Sequence, residues 1–257
     1  MNQERREQII KMVNENRMVK NSDLMERFDI SIETVRRDLK FLEKLGYIQC
    51  VYGGAVIKGA GVNQADFKVN SAKNVQEKNA IGQAAAKLVD RGDTLYLEDG
   101  TTVMAMTQYL KDVVPITVVT NSLRIGMAMS GVLDCTVMLL GGQLQPGSLE
   151  MQGFQTEENL KMFNIDKAFI GATGITETHF TDNPTDTGYI RRRVINDSSQ
   201  AIVLADHSKF GVRNALKFAA INELDIVVTD DGTPEKYVEC LRNTGLEVVV
   251  AKVDRKV

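Results

Sequence analysis

Short polar motifs follow apolar runs in the second part of the chain, and the first of them suits the binding of an anion. Asp99-Gly100-Thr101-Thr102 follows the run 94–98 and begins a helical pattern. Glycine allows backbone N–H groups to approach a phosphate, and threonine hydroxyls add donors at the positive end of a helix dipole. The motif therefore predicts a phosphate site, although the same residues could serve only as a helix cap.

Three further motifs lie directly after other apolar runs. Asn121 and Ser122 could bind a sugar hydroxyl, because an amide both donates and accepts, but both are equally suited to cap a helix. Gly141 and Gly142 permit either a close backbone approach or a tight turn. Lys209 could reach a phosphate or a carboxylate, although a lysine in a loop is commonly a solvated surface residue.

These motifs are positioned by seven short runs rich in Val, Ile and Leu, which alternate with helical patterns. The runs are 94–98, 116–120, 135–140, 166–172, 201–205, 225–229 and 247–251. Continuous apolar strands that alternate with helices indicate an α/β fold with a mostly parallel sheet covered on both faces. Ligands bind beyond the carboxyl ends of the strands in such sheets, so the four motifs should converge at one edge.

The first 57 residues show a different pattern, with helices and most of the clustered Arg and Lys. One helix is predicted over 2–16 and a second over 22–28, with Asn21 or Ser22 able to cap the second. A largely helical start before an α/β pattern predicts a separate small domain.

A third helix is predicted over 31–46, where Ser31 is the natural N-cap and Gly46 a left-handed C-cap. Its apolar residues are spaced three or four apart and form one buried stripe: Ile32, Val35, Leu39, Leu42 and Leu45. The other face is basic and suits the major groove of DNA, although a solvated amphipathic helix is the alternative. The stretch YIQCVYGGAV that follows predicts two short strands closing on Gly53-Gly54, as in a wing.

The segment SIETVRRDLKFLEKLGYIQCVYGGA closely resembles the signature of DeoR-type repressors, and the resemblance continues over nearly the whole chain. It implies a winged helix-turn-helix that binds operator DNA. The resemblance implies these main contacts to DNA: Ser31, Thr34, Arg36, Arg37 and Lys40. Tyr52 and the Gly53-Gly54 wing would assist them.

The motifs after the strands, together with 166–171, resemble the sensor domain of the same family. The core of that domain is similar to the sugar-phosphate isomerase and CoA-transferase folds. The resemblance implies a phosphorylated sugar or a related sugar-acid or polyol phosphate as effector. The residues it implies as effector contacts are Asp99, Gly100, Thr101, Thr102, Asn121, Ser122, Gly171 and Lys209, and Gly141 is a further candidate.

Two departures from the family pattern leave the non-phosphate end of the ligand open. Family members often carry a Glu before a Lys-containing helix, where this chain has the stretch from Thr187 to Arg193. The expected loop 178–181 has Phe180 where a Gly is common. The triplet 191–193, Arg-Arg-Arg, is either an altered anion contact or a solvated helix face.

Composition limits the other functions. The formal net charge of −3 means that DNA contact must be confined to one part of the chain. The three cysteines form no CxxC pair, and His179 and His207 lack a ligand partner at helical or hairpin spacing, so we expect no metal site or other cofactor. Neither a signal peptide nor a membrane span is evident, which predicts a cytoplasmic protein.

The domains predicted are a winged helix-turn-helix over 1–57, a linker over 58–74 and an α/β effector-sensing domain over 75–257. We expect a transcriptional repressor of a carbohydrate-metabolism operon that forms homo-oligomers, because operator half-sites need a symmetric pair of recognition helices. The alternative is a sugar-phosphate isomerase with an added module. It would use Asp99 or Glu98 as general base and Lys209 to stabilise an enediolate.

Overall fold

The structure is a computed structural model that describes residues 2–16, 18–45, 47–51, 53–57, 67, 69–145, 148–182 and 188–255. The chain divides into two compact units, Met1–Lys68 with Pro146–Ser148, and Val69–Gln145 with Leu149–Val257. Of the expected linker, residues 58–66 lie outside the described residues and 69–71 are helical. The domain boundaries given above therefore stay a prediction.

The N-terminal unit combines helices with a small antiparallel sheet. Its helices are α1 (Asn2–Asn16), α2 (Asn21–Phe28) and α3 (Ile32–Lys44), and its strands β1 (Met18–Lys20), β2 (Ile48–Val51) and β3 (Gly54–Ile57) lie in the order β1-β3-β2. Its core holds Ile9, Val13, Val19, Leu24, Val35, Leu39, Leu42, Ile48 and Ala55. The predicted helices and hairpin are confirmed.

Three details of this unit differ from the sequence-based expectations. Strand β1, which pairs Val19 with Ala55, was not predicted, because three residues are too few to show alternation. The N-cap of α2 is Lys20, so neither expected residue caps that helix. Leu45 is 55% exposed, because α3 ends before it, and the predicted stripe was wrong at that position. Gly46 lies outside the described residues.

The second unit is built on a seven-stranded sheet in the order β15-β14-β12-β9-β4-β5-β6. Its strands are β4 (Thr94–Leu97), β5 (Ile116–Thr120), β6 (Cys135–Leu139), β9 (Ile165–Gly171), β12 (Ser198–Leu204), β14 (Ile226–Asp230) and β15 (Glu247–Ala251). All neighbouring strands in this sheet are parallel. Each predicted run forms one of these strands, so the predicted parallel sheet is confirmed.

Helices cover both faces of this sheet. They are α4 (Val75–Ala86), α5 (Thr101–Leu110), α6 (Leu123–Met129), α7 (Phe154–Leu160), α8 (Gly188–Asp197) and α9 (Glu235–Asn243). Alternate residues of β9 enter different apolar clusters, Phe169 in one and Ile170 in the other, because successive side chains of a strand point to opposite faces. None of the described helices has the length and apolar character needed to cross a membrane.

Two small antiparallel sheets were not predicted. One pairs β7 (Gln143–Leu144) with β8 (Met151–Gln152), and the other joins β10 (Gly174–Ile175), β11 (His179–Asp182) and β13 (Leu216–Ala220). The expected loop 178–181 was wrong, because most of it belongs to β11. Phe180 is fully buried there with its ring centroid 6.1 Å from that of Phe218. The phenylalanine at this position therefore serves the core.

Candidate DNA-binding and effector sites

The start of α3 is set by Ser31. Its backbone is extended, and its hydroxyl accepts a hydrogen bond from the Thr34 N–H at 3.4 Å, as the predicted N-cap requires. Asp29, in the left-handed conformation with φ 48°, ends α2 and turns the chain toward α3. The two helices are thus joined by a short turn, the arrangement of a helix-turn-helix.

The basic residues of α3 lie on its solvent side. Arg36, Arg37 and Lys40 are exposed, whereas Val35 and Leu39 on the opposite side are buried. Within the described part of the chain, neither Arg36 nor Arg37 forms an ion pair. Both guanidinium groups are therefore available for phosphates or base edges, which are their usual partners in nucleic acid.

A buried carboxylate that we did not single out fixes α3 against α1. Asp38 is 1% exposed and accepts hydrogen bonds from the Nε atoms of Arg5 and Arg6, both at 2.7 Å. The Arg6 guanidinium also lies 3.8 Å from the ring centroid of Phe41. Helical spacing from Val35 places Asp38 on the buried side, which is the signal that could have revealed it.

Backbone geometry explains both glycines of the hairpin. Gly53 adopts φ 84°, and a Cβ on Gly54 would lie 2.0 Å from the carbonyl oxygen of Val19 on β1. Glycine at 54 therefore permits the close approach of β3 to β1. Tyr52 lies outside the described residues. Contact between this wing and DNA stays a prediction.

In the second unit, the carboxyl ends of β4, β5 and β9 meet as expected. The Gly171 N–H donates to Glu98 Oε2 at 2.9 Å, and the Ser122 hydroxyl donates to Asp99 Oδ1 at 2.5 Å. Helix α5 begins directly after this point with Gly100 as its N-cap. Its first turn therefore lies at the carboxyl edge of the sheet, directly after β4. Thr101 is partly exposed and Thr102 is buried.

The side chains after β5 already have partners within the protein. Asn121 accepts a hydrogen bond from the Tyr96 hydroxyl at 3.0 Å and donates to the Met151 carbonyl at 3.3 Å. Ser122 caps α6 by accepting from the Ile125 N–H at 3.3 Å. Both are almost completely buried. The helix-cap role that we left open for Ser122 is therefore present.

Asp99 is held by a cation that the sequence analysis missed. Arg124 Nη1 lies 3.2 Å from Asp99 Oδ2, and the two side chains are 13% and 10% exposed. Burial raises the pKa of Asp99, while the hydrogen bond from Ser122 and the charge of Arg124 act in the opposite direction. The aspartate is consequently rigid and partly neutralised.

Arg191 is not on a solvated helix face, which corrects one interpretation of the arginine triplet. Its Nε donates to Glu98 Oε1 at 2.6 Å, and it also forms an ion pair with Asp182. Burial raises the pKa of Glu98, an effect that Arg191 opposes. Arg191 is thus a buried link between β4 and β11. Thr187 lies outside the described residues.

The other two arginines of the triplet do reach solvent. Arg192 is 45% exposed and pairs with Glu223, and Arg193 is 44% exposed and pairs with Asp197. The solvated-face interpretation therefore holds for these two positions.

Lys209 lies in a short 3₁₀ turn, His207–Lys209, after β12. The turn is capped by the buried Asp206, which accepts from the Ser208 N–H at 3.0 Å and from Asn74 Nδ2 at 2.9 Å. Burial raises the pKa of Asp206, but the hydrogen bonds from Ser208 and the charge of Lys209 outweigh it, so the pKa lies below its usual value. Lys209 itself is partly exposed, and its ammonium group has no hydrogen-bond acceptor among the described residues.

A second lysine lies near this turn. Lys78 is 5% exposed and donates to the Lys73 carbonyl at 2.8 Å and to the Asn70 carbonyl. Its burial lowers its pKa, whereas the charge of Asp206 raises it. The sequence carried no signal for this residue, because its acceptors are backbone carbonyls.

Gly141 and Gly142 pack against α7. A Cβ on Gly141 would lie 3.0 Å from Asn159 Nδ2, and one on Gly142 would lie 2.0 Å from Thr156 Oγ1. No hydrogen bond in the described part of the chain joins Gly141 or Lys209 to Asp99, Asn121 or Ser122. In the same part, no group of three or more His, Cys, Asp or Glu side chains is arranged to hold a metal ion.

These features define a class of protein: a winged helix-turn-helix with an exposed basic helix, and a separate parallel α/β unit with polar groups at the carboxyl edge of its sheet. Comparison with known families agrees with this division. The DeoR-like helix-turn-helix domain matches residues 5–59, and the DeoR C-terminal sensor domain matches residues 73–231. The chain belongs to the DeoR family of DNA-binding transcriptional regulators.

Two relatives match over almost their full lengths. The transcriptional repressor GlcR of Bacillus subtilis is 31% identical over 252 residues, covering 98% of this chain and 97% of GlcR. The transcriptional repressor AccR of Agrobacterium fabrum is 30% identical over 234 residues, covering 90% of each. The comparisons therefore favour the regulator over the isomerase alternative.

Solved structures resemble part of this chain at low sequence identity. Ribose 5-phosphate isomerase A of Methanocaldococcus jannaschii is 18% identical with a TM-score of 0.40, covering 54% of this chain and 55% of that protein. The eIF2B beta subunit of Chaetomium thermophilum is 12% identical with a TM-score of 0.46, covering 66% and 54%.

Proposed function

We propose that this regulator represses a carbohydrate-metabolism operon in the cytoplasm and leaves its operator when a phosphorylated sugar, or a sugar-acid or polyol phosphate, binds the second unit. The relatives that are named as repressors support the first part. One observation carries the second part: the N-terminus of α5 opens at the carboxyl edge of the sheet, where the ends of β4, β5 and β9 meet.

On the DNA side, α3 is the recognition helix. Ser31 and Thr34 at its start face base edges, while Arg36, Arg37 and Lys40 bind phosphates or bases. Their exposure, and the lack of acidic partners for the two arginines within the described residues, support these roles. Tyr52 and the Gly53-Gly54 wing add contacts to the DNA backbone.

On the effector side, the phosphate binds the first-turn N–H groups of α5 after Gly100, the hydroxyls of Thr101 and Thr102, and the ammonium group of Lys209. The other cations near this edge, Arg124 and Arg191, are already paired with carboxylates. We therefore assign the attraction of a dianion to Lys209, whose ammonium group has no hydrogen-bond acceptor among the described residues. Gly141 and Gly171 border the ligand with backbone groups.

The hydroxyl groups of the effector would be recognised by forming hydrogen bonds that replace bonds within the protein. Two groups of internal hydrogen bonds lie here: Tyr96 donates to Asn121, and Ser122 and Arg124 both donate to Asp99. A ligand hydroxyl can replace one of these internal bonds without leaving a buried group unsatisfied. This requirement restricts the site to polyhydroxylated ligands of suitable shape.

A thermal-shift screen of phosphorylated sugars tests this proposal, because a ligand that binds only the folded state raises its melting temperature. The operator is first selected by the full chain from a pool of random duplexes. A hit should raise the melting temperature and lower operator affinity, and its dephosphorylated form should do neither. Equal binding of the dephosphorylated ligand would refute the proposed phosphate site. If the screen includes pentose phosphates and the protein converts one of them to its isomer, the isomerase alternative would be supported instead.

A further inference from the structure

Exposed apolar side chains are concentrated at the β6 end of the large sheet. Of the fifteen large hydrophobic side chains that are well exposed in the described residues, seven lie between Met127 and Met162. Six of them form what we call the β6 edge patch: Met127, Leu133, Met138, Leu139, Phe154 and Met162. Their exposed fractions run from 39% to 84%.

These side chains belong to one region of the fold. Helix α6 packs on β6, and a Cβ on Gly126 of α6 would lie 3.6 Å from Leu139 Cδ1. Helix α7 packs at the end of the same strand, through the contacts of Gly141 and Gly142 described above. The patch therefore wraps around a single edge of the sheet.

The backbone of β6 also has a free side. Leu140 N–H donates to Thr120 O and Asp134 O accepts from Ile116 N–H, so even-numbered residues here direct their backbone groups toward β5. Because direction alternates along a strand, residues 137 and 139 direct theirs outward, whereas the Cys135 N–H already donates to the Val132 carbonyl at 3.3 Å. Among the described residues no strand pairs with that outer side.

The two edges of the sheet differ in charge. The stretch 135–145, CTVMLLGGQLQ, contains no charged residue, whereas β15 at the other edge has Glu247 within it and Lys252 and Asp254 close behind. Monomeric proteins commonly protect an edge strand with charged side chains, and an uncharged apolar edge is prone to pair with another chain. Strand β6 itself lacks that protection, and Asp134 directly before it is the charged residue nearest to it in sequence.

We infer that a second copy of this chain covers the β6 edge patch, with the two β6 strands antiparallel across a two-fold axis. A two-fold interface brings the same patch against itself, which an uncharged surface permits without repulsion. At about 150–200 Å² for a fully exposed large apolar residue, the six exposed fractions amount to roughly 600–800 Å², comparable with the ~800 Å² that each partner buries in a standard interface. The inference rests on the proposed function in one respect, since a symmetric operator requires two recognition helices.

The test is the oligomeric state of the full chain without DNA, measured by sedimentation over a wide concentration range. Met138→Lys should raise the dimer dissociation constant by about 100-fold or more, because it places two like charges near the axis. Val250→Lys is the matched control, since Val250 is 38% exposed against 39% for Met138 and lies on the opposite edge strand. It should dimerise as the wild type does.

Three results would overturn the inference. They are a monomeric wild type, a folded Met138→Lys protein whose dimer dissociation constant equals that of the wild type, or a Val250→Lys protein whose dissociation constant rises as much as that of Met138→Lys. Should Met138→Lys fail to fold, hydrogen exchange of the wild type decides. The amides of 137 and 139 should exchange more slowly at high protein concentration, and those of 247–251 should not change. A dimer that binds no operator would refute the proposed function while leaving this interface intact.

Discussion

Removal of the buried Arg191 tests the electrostatic core of the second unit. Arg191 lies between Glu98 and Asp182, with side-chain exposures of 10%, 5% and 10%. Arg191→Met keeps the aliphatic bulk but leaves two buried carboxylates without their cation. Breaking a buried ion pair typically costs about 3–5 kcal/mol, so we expect a loss of that size in the free energy of unfolding.

Arg192→Met is the matched control, because Arg192 is the next residue and also pairs with a carboxylate, but it is 45% exposed. An exposed pair contributes about 0–1 kcal/mol. Urea unfolding of both variants, followed by circular dichroism at neutral pH, gives the two values. If Arg191→Met were no more destabilising than Arg192→Met, the buried network would have been assigned wrongly.

The stability loss of Arg191→Met should also depend on pH. Burial raises the folded-state pKa of Glu98, and removal of Arg191 raises it further. A carboxyl with a raised folded-state pKa stabilises the fold when protonated, and this contribution is lost as the pH rises through that pKa. The deficit of Arg191→Met should therefore shrink as the pH falls from neutral through the raised pKa of Glu98. Adding Glu98→Gln should also recover part of the loss, and a pH-independent deficit would contradict the mechanism.

Two further predictions concern the N-terminal unit, and a third concerns the boundary between the units. Arg36→Ala or Arg37→Ala should weaken operator binding by about 1–3 kcal/mol at matched salt without lowering the melting temperature, and unchanged affinity in both would remove α3 from the interface. Asp38→Ala should destabilise the N-terminal unit by about 3 kcal/mol, because the guanidinium groups of Arg5 and Arg6 lose their shared partner. Calorimetry measures this loss. A change below about 1 kcal/mol would mean that the two ion pairs contribute little. A fragment that begins at Val69 should fold, oligomerise and bind effector without binding DNA. It should melt at a higher temperature than a fragment that begins at Val75, because the shorter one lacks Asn74 and the carbonyls that accept hydrogen bonds from Lys78. Equal melting temperatures would contradict the role given to those contacts.

The parallel sheet could be predicted because its strands are buried on both faces and therefore form continuous apolar runs in the sequence. The runs at 94–98 and 201–205 are clear examples, and each was followed by the polar residues that the fold places at the carboxyl edge. The N-cap Ser31 could be predicted for a similar reason, since capping is local. Strands of two or three residues, such as β1 and β10, have no such pattern.

The partners of the buried charges could not be predicted, because they are distant in sequence. Arg191 pairs with Glu98 from 93 positions away, and Arg5 pairs with Asp38 from 33 positions away. Helical spacing places Arg191 on the same side as the buried Val194 and Ile195, unlike its two solvated neighbours. The spacing does not identify Glu98 and Asp182 as its partners, because the tertiary arrangement supplies those carboxylates.

The central claim is that effector binding at the α5 end of the sheet releases the operator. The most direct measurement is operator affinity, by fluorescence anisotropy, as the phosphorylated ligand from the thermal-shift screen is added to the wild type, to Lys209→Ala and to Thr101→Ala. Loss of one hydrogen bond to a charged group costs about 1.5–3 kcal/mol, so each variant should need roughly 10- to 150-fold more ligand for release, with unchanged operator affinity in its absence. Wild-type affinity that does not change when the ligand saturates the protein would contradict the account.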